Sequence, residues 1–291
     1  MTTKIEWATE TWNPVTGCTS ISEGCEHCYA ARMAKRLAGR GGYPKGDPFR
    51  PGICHIDKLS KPLKIKKPSL IFVCSMGDLF HEAVSESIID EILDVIAACP
   101  QHIFIMLTKR PQNIERKLYA STPECGCRHL GGGDYLPNVW LGVTAENQAR
   151  ADERIPILLS IPAAVRFVSI EPMLGPVRLP DAGFHCDLCG GTGILARFPK
   201  GECHKCSGKG SIPAISTDPQ YGTPPTPARR IGWVICGGET GPGARPMHPV
   251  WARSLRDQCA AANVPFFMKK MSGGVIPPHA LMIREYPEGL R

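Results

Sequence analysis

The sequence lacks any long apolar segment. In its 291 residues no apolar run approaches the roughly 18 residues of a transmembrane helix, and the N-terminal stretch MTTKIEWATETW does not have the pattern of a signal peptide. These absences argue against a membrane or secreted protein, and we expect a cytoplasmic protein with no membrane partner. Thiols stay reduced in that compartment, so metal ligation explains the 14 cysteines better than disulfides do.

Acidic residues are scarce in one part of the chain. Between Lys35 and Lys67 there are ten lysines and arginines but only Asp47 and Asp57, and the whole chain has a formal net charge of +7. Clustered cations release condensed counterions when they bind a polyanion, so this segment indicates a DNA or RNA partner. A solvated basic loop is the other interpretation, and composition alone does not separate the two.

Apolar runs alternate with helix-like stretches from residue 69 onward. We expect a short strand before Cys18 and further strands at 69–75, 102–108, 139–144, 165–172, 231–238 and 264–270. The patterns between them predict helices at 85–99, after KRPQN, in AENQARADERIPILLS and from about Pro249 to Ala262. About seven such parallel β/α units are typical of an α/β fold with a partial or full parallel β/α barrel. An open Rossmann-like sheet is the alternative, although no GxGxxG motif follows a strand.

Polar residues follow the apolar strands, where function is found in both architectures. Helix capping accounts for some of the Thr, Asp and Asn residues, but it does not require Lys-Arg or Glu-Pro directly after a buried strand. We therefore predict a pocket for a polar ligand at these strand ends. Its candidate residues are Ser75, Gly77, Asp78, Thr108, Lys109, Arg110, Thr144, Glu146, Asn147, Glu171, Gly237, Gly238, Glu239, Lys269 and Lys270.

A cysteine-rich insert with a Pro-rich linker, residues 181–230, interrupts a core formed by residues 1–180 and 231–291. The insert contains two CxxCxGxG motifs, CDLCGGTG (186–193) and CHKCSGKG (203–210). Two thiolate pairs complete one tetrahedral site, so we predict structural Zn²⁺ bound by Cys186, Cys189, Cys203 and Cys206. The motifs resemble the zinc knuckles of J-domain chaperones, which carry four repeats. The zinc would either staple an insert without a core of its own or present a basic surface to a partner.

Three cysteines lie on one short loop near the N-terminus, with no obvious fourth nearby. The segment GCTSISEGCEHCYAARMAKRLAGR places Cys18, Cys25 and Cys28 within eleven residues, directly before a helix-like run. A zinc site that uses the CEHC pair with Cys18 or His27 is one explanation. Cysteine-bound [4Fe–4S] clusters normally take four protein thiolates. Three thiolates therefore favour a cluster with one iron open to a small molecule.

The cysteine loop and several downstream motifs resemble radical S-adenosylmethionine (radical SAM) proteins. The usual spacing in that superfamily is CxxxCxxC with an aromatic residue before the last cysteine, whereas here six residues separate Cys18 from Cys25 and His27 holds the aromatic place. TWNPVTGCTSISEGCEHCYA, with SMGDLFH, LTKRP, LGVTAEN and SIEPMLGP, resembles a phage-associated three-cysteine radical SAM-like family over most of the chain outside the insert. Spore photoproduct lyase, which repairs a thymine lesion in DNA, is a more distant likeness.

This resemblance implies a radical SAM enzyme. Cys18, Cys25 and Cys28 would hold a [4Fe–4S] cluster, and S-adenosylmethionine would chelate its fourth iron. An electron donor such as flavodoxin or ferredoxin would supply the electron that cleaves S-adenosylmethionine into methionine and a 5′-deoxyadenosyl radical. That radical would abstract a hydrogen atom from the substrate, with the protein supplying orientation and exclusion of water.

The resemblance also suggests roles for the strand-end residues. SMGD holds the place where many superfamily members bind the methionine amino group, so we expect Asp78 to face that ammonium. Lys109 and Arg110 would pair with the methionine carboxylate or a substrate phosphate. The cofactor-binding candidates are Ser75, Gly77, Asp78, Thr108, Lys109, Arg110, Thr144, Glu146 and Asn147, the last three for ribose hydroxyls, and the substrate-pocket candidates are Glu171, Glu239 and Lys269.

The remaining cysteines have simpler explanations. We expect Cys74, Cys99, Cys236 and Cys259 to be small apolar residues of the core. A second group, Cys125, Cys127 and His129, is half of a possible metal site without a nearby fourth ligand.

Three functions are compatible with these patterns. The first is a radical SAM enzyme that acts on a nucleic acid or nucleotide, in base modification or lesion repair. The second is a non-catalytic nucleic-acid-binding protein in which both cysteine groups hold zinc. The third, a chaperone-like binder of unfolded chains, rests on the zinc knuckles alone.

Overall fold

The computed structural model describes residues 3, 5–119, 135–180, 183–185, 194–195, 201–202, 211–213 and 230–287. Its centre is a seven-stranded sheet in which all neighbouring strands are parallel. In chain order the strands are β1 (Glu10–Trp12), β2 (Leu70–Val73), β3 (Ile103–Thr108), β4 (Val139–Thr144), β5 (Val165–Ile170), β6 (Trp233–Cys236) and β7 (Phe266–Met268).

The order of the strands across the sheet follows their order along the chain. A Rossmann-like sheet instead reverses its strand order at a switch point, so that alternative is wrong. When every connection is a right-handed crossover to the next strand in the same direction across the sheet, the connecting helices lie on one face of that sheet. Within the described residues β1 and β7 are the two edges of the sheet. The predicted α/β fold is therefore confirmed, in the form of a partial parallel β/α barrel.

Alternating strand residues build two separate apolar clusters. On β2, Ile71 and Val73 belong to the larger cluster, which includes the apolar faces of the helices, whereas Leu70 and Phe72 point to the other side of the sheet. The second cluster is aromatic and contains Trp7, Phe72, Trp140, Phe167, Trp233 and Phe267. Because a strand has a side-chain period of two, buried residues on both faces produce the continuous apolar runs seen in the sequence.

The described helices are α1 (Tyr29–Leu37), α2 (Ile56–Leu59), α3 (Glu86–Ala97), α4 (Ile114–Tyr119), α5 (Gln148–Ser160) and α6 (Pro249–Ala261). Short 3₁₀ turns occur at Glu23–Cys25, Pro62–Lys64, Pro111–Asn113, Ser272–Gly274 and His279–Leu281. In α3 the apolar face is buried and consists of Ile88, Ile89, Ile92, Leu93 and Ile96. Among the described residues the longest helices have 13 residues, and none has the length and apolar character of a membrane span.

Among the residues that the structure describes, three small antiparallel ladders lie outside the main sheet. Val15–Thr16 pairs with Ile53–Cys54, next to the cysteine loop. Gly183–His185 pairs with Ser211–Pro213, and Ile194–Leu195 pairs with Gly201–Glu202. The predicted zinc ligands Cys186, Cys189, Cys203 and Cys206 lie outside the described residues, as do Cys125, Cys127 and His129.

Candidate active site

A cavity of about 410 Å³ opens at the carboxyl ends of the strands and extends along the inner face of the sheet. Cys18, Cys25 and Cys28 all line it. Most of the predicted strand-end residues line it too: Ser75, Gly77, Asp78, Thr108, Lys109, Arg110, Thr144, Glu171, Gly238, Glu239 and Lys269. Its inner end is apolar and is formed by Ile5, Trp7, Phe72 and Leu107.

Backbone geometry sets the start of the cysteine loop. Gly17 has a positive φ of 87°, and a Cβ added there would lie 1.8 Å from the carbonyl oxygen of Arg50. The Cys18 amide donates to the Phe49 carbonyl at 3.2 Å, and Gly17 forms a parallel bridge with Gly77. Only glycine combines this conformation with this close approach. The loop is therefore fixed against the SMGD segment at its first cysteine.

Arg110 connects the first cysteine to the SMGD segment. Its Nη1 donates to the Cys18 sulfur at 3.3 Å and lies 3.4 Å from a carboxylate oxygen of Asp78. Its Nη2 donates to the backbone carbonyl and the hydroxyl of Thr19, at 3.1 and 2.8 Å. The Asp78 carboxylate also accepts from the Thr108 hydroxyl, at 2.8 and 2.9 Å. The predicted ligand-binding groups Asp78, Thr108 and Arg110 thus bond to one another and to the cysteine loop.

The second half of the loop is held by Glu146, which follows β4. The Gly24 amide donates to Glu146 Oε1 at 3.3 Å, and Arg154 Nη1 pairs with the other oxygen of that carboxylate at 2.9 Å. Both charged side chains are almost completely buried. A Cβ on Gly24 would lie 2.9 Å from Glu146 Oε1. The LGVTAEN motif therefore positions the loop between Cys18 and Cys25.

Glu239 anchors the last part of the loop. Its carboxylate contacts His27 Nδ1 at 2.9 Å and pairs with Arg245 Nη2 at 2.6 Å. Arg245 also donates to the Glu23 carbonyl and pairs with Glu26, both at 2.9 Å. Burial alone would raise the pKa of Glu239, but the hydrogen bonds from Arg245 and His27 lower it to about 2. An ionised carboxylate thus contacts the loop at His27, which lies between Cys25 and Cys28 in the sequence.

The three thiols are half-buried, and their surroundings differ. Burial raises the pKa of Cys18 to about 11, and the Asp78 charge adds to the rise while Arg110 opposes it. Burial acts in the same direction on Cys25, but the Lys109 charge and hydrogen bonds from the Ile21 and Ser22 region hold the pKa of that thiol below its ordinary value. The thiolate, which is the form that binds metal, is thus favoured most clearly at Cys25.

The far wall of the cavity carries a separate ion pair. Lys269 Nζ lies 2.5 Å from Glu171 Oε1, and both side chains remain partly exposed. They follow β7 and β5, and the inward-facing Thr144 and Ser169 line the same wall. These groups supply donors and acceptors opposite the cysteines, where a polar ligand would meet them.

Two of the predicted cofactor-binding residues, Glu146 and Asn147, lie elsewhere, as do the predicted pocket residues Gly237 and Lys270. The Asn147 side chain accepts from the Arg150 amide at 3.0 Å as the N-cap of α5, and Glu146 pairs with Arg154. Neither is among the described residues that line the cavity. The predicted buried cysteines Cys74, Cys99, Cys236 and Cys259 all lie in the main apolar cluster, as expected.

The donor set of the loop is three thiols, and thiolates are the ligands of iron–sulfur clusters. In the described part of the chain, no group of three or more His, Cys, Asp or Glu side chains is arranged around one ion position. Cys74 also borders the cavity, but burial raises its pKa to about 12 and disfavours its thiolate. The three loop thiols remain the best-suited ligands.

A family model described as "Protein of unknown function (DUF5131)" matches residues 2–281. The chain belongs to this family. No curated protein and no solved structure matches it.

The DUF5131 match spans the cysteine loop, all seven strands of the main sheet and the insert. The structure adds loop-holding residues that the sequence patterns did not indicate, namely Arg154 and Arg245, together with Arg150, which pairs with Glu23 at 3.1 Å. An arginine inside an amphipathic helix normally indicates a solvated face, so only the tertiary contact identifies Arg154. For Arg245, the preceding segment GGETGPGA gives no periodic signal.

Proposed function

We propose that the protein is a radical SAM enzyme in which Cys18, Cys25 and Cys28 hold a [4Fe–4S] cluster. One observation carries the proposal: the three thiols of one loop line a single cavity at the carboxyl ends of seven parallel strands. Packing does not explain all three half-buried thiols, because Cys18 and Cys25 belong to no apolar cluster and Cys28 packs only against a small one. Catalytic groups are found at this end of parallel β/α barrels.

The bound cluster and S-adenosylmethionine would supply a 5′-deoxyadenosyl radical, and the chain's own residues would prepare the site. Glu146, Glu239 and Arg110 fix the cysteine loop from three sides. Lys109 favours the thiolate of Cys25. The Glu171–Lys269 pair orients polar groups of the ligand on the far wall. The apolar inner end, which includes Trp7 and Phe72, limits the water that reaches a reactive species.

Anaerobic reconstitution with iron and sulfide tests this chemistry directly. We expect a brown protein with broad visible absorbance that, after reduction with dithionite, converts S-adenosylmethionine to methionine and 5′-deoxyadenosine. Chromatography with mass spectrometry detects both products, and unreduced protein is the control. An intact cluster that yields no 5′-deoxyadenosine after reduction would contradict the proposal.

The substrate that we propose is a nucleic acid or a nucleotide, because the basic segment follows from helix α1, whose first residue lines the cavity. Tyr29 lines the cavity and is 49% exposed, and Met33 and Arg36 follow it at spacings of four and three residues on α1. At that spacing the three side chains share one helix face. Lys35 and Arg40 are also exposed, and neither forms an ion pair with a described residue. An aromatic ring beside unpaired cations is typical of surfaces that bind single-stranded nucleic acid.

Reversing one charge on this surface tests whether it binds nucleic acid. We expect Arg36→Glu to weaken binding of a labelled 20-nucleotide single-stranded DNA about tenfold. The slope of the logarithm of the binding constant against the logarithm of the salt concentration should fall by the amount that corresponds to about one phosphate contact. The readout is fluorescence anisotropy across a salt series. Arg253→Glu is the matched control, because Arg253 is an exposed arginine on α6. Equal effects of the two variants would show that α1 has no special part in binding.

Metal analysis of the purified protein separates this proposal from the zinc-only alternative. We expect about four iron atoms in the reconstituted cluster and one Zn²⁺ in the insert per chain, held by Cys186, Cys189, Cys203 and Cys206. A colourless protein that contains two zinc ions and takes up no iron on reconstitution would favour a non-catalytic nucleic-acid-binding protein.

A further inference from the structure

The donors of the Arg110 side chain are directed at protein groups. A guanidinium carries five N–H groups. Nη1 is directed to the Cys18 sulfur and to Asp78, and Nη2 to the two oxygens of Thr19. Nε lies 3.2 Å from Glu82 Oε2. Nη1 and Nη2 are thus hydrogen-bonded within the protein, Nε faces the Glu82 carboxylate, and the side chain is only 2% exposed. Arg110 therefore acts on the cysteine loop rather than on a methionine carboxylate or a phosphate.

We propose that Arg110 raises the reduction potential of the cluster that Cys18 helps to hold, an inference that rests on the proposed function. Hydrogen bonds to cluster sulfurs and nearby buried charge are among the main determinants of iron–sulfur potentials. A cation that donates to a cysteine sulfur stabilises the extra negative charge of the reduced state. Arg110 supplies both effects through one contact, the 3.3 Å N–H···S bond to Cys18. It is a positioning residue that makes the cluster easier to reduce.

Asp78 provides a test of the direction in which a nearby charge shifts the reduction potential of the cluster. Its carboxylate is buried and lies 3.4 Å from Arg110 Nη1, the nitrogen that donates to the Cys18 sulfur. A negative charge at this place opposes reduction of the cluster. Loss of the Asp78 charge is therefore expected to move the potential in the direction opposite to loss of Arg110. A variant that merely loosened the loop would have no reason to show this pair of opposite shifts.

The experiment is a redox titration of the reconstituted protein, followed by electron paramagnetic resonance of the reduced cluster. We expect Arg110→Gln to shift the midpoint potential to more negative values and Asp78→Asn to shift it to more positive values. Arg110→Lys keeps the positive charge but lacks the planar guanidinium with its several N–H donors. The midpoint potential of the cluster in this variant should therefore lie between those of the wild type and Arg110→Gln. Arg116→Gln is the matched control, because Arg116 pairs with Glu86 on the surface and not with the cysteine loop.

The outcomes separate this inference from the proposed function. A wild-type protein that binds no cluster overturns both. A wild-type cluster whose potential is unchanged in Arg110→Gln, or shifted in the same direction by Arg110→Gln and Asp78→Asn, overturns only the role of Arg110. Where Arg110→Gln does not fold, the comparison of Arg110→Lys with Asp78→Asn decides, and opposite shifts support the inference.

Discussion

Replacement of Cys25 by alanine is expected to leave a folded protein that no longer holds an iron–sulfur cluster. Cys25 is half-buried, its sulfur contacts the Ser22 hydroxyl at 3.6 Å, and it belongs to none of the apolar clusters. Its removal therefore costs little packing energy. A cluster that already leaves one iron without a protein ligand would keep only two thiolates, too few to hold it against dilution.

The measurement is the iron and sulfide content after anaerobic reconstitution, together with the visible absorbance and 5′-deoxyadenosine formation. All are expected to fall to background in the variant, while the thermal unfolding midpoint stays close to that of the wild type. Cys54→Ala is the matched control, because Cys54 is an exposed thiol on the ladder next to the loop and does not line the cavity. Wild-type iron content in the Cys25 variant would refute the assignment of the loop as cluster ligand.

The fold could be predicted because strands that are buried on both faces leave an unambiguous apolar signal. β4 has the predicted bounds, and every other predicted strand is present but shorter. β2 illustrates why: Cys74 has a positive φ of 55°, which turns the backbone out of the strand before the apolar run ends. Cysteine does not favour that conformation, so its sequence neighbours gave no warning of the turn.

The location of the site could also be predicted, but the roles of its residues could not. Parallel strands bring their carboxyl ends to one edge, so Asp78, Lys109 and Glu171 had to lie near one another. Which of them faces the cavity depends on partners that are distant in the chain. The Arg110 contact with Cys18 spans 92 residues, and the His27 contact with Glu239 spans 212. No local pattern in the sequence carries such information.

Loss of the buried Arg154 is expected to destabilise the protein more than any other substitution of an ion-paired residue at the site. Arg154 and Glu146 are 1% and 0% exposed, and Arg154 Nη1 also donates to the Thr144 carbonyl at 2.8 Å. Arg154→Met leaves a carboxylate buried without its counter-charge, which costs about 3–5 kcal/mol in comparable buried pairs. Urea denaturation followed by tryptophan fluorescence measures the change in the free energy of unfolding.

Two comparisons show whether the loss of stability in Arg154→Met comes from the unpaired charge of Glu146. Arg150→Met removes a side chain of the same size from the same helix, but Arg150 is 28% exposed and its pairs are at the surface, so a loss of about 0–1 kcal/mol is expected. The double variant Glu146→Gln with Arg154→Met removes both charges and keeps an oxygen that can accept from the Gly24 amide. It should recover much of the lost stability, because burial of a neutral amide costs far less than burial of an unpaired carboxylate. A double variant as unstable as Arg154→Met alone would locate the loss in the contact with Thr144 rather than in the charge of Glu146.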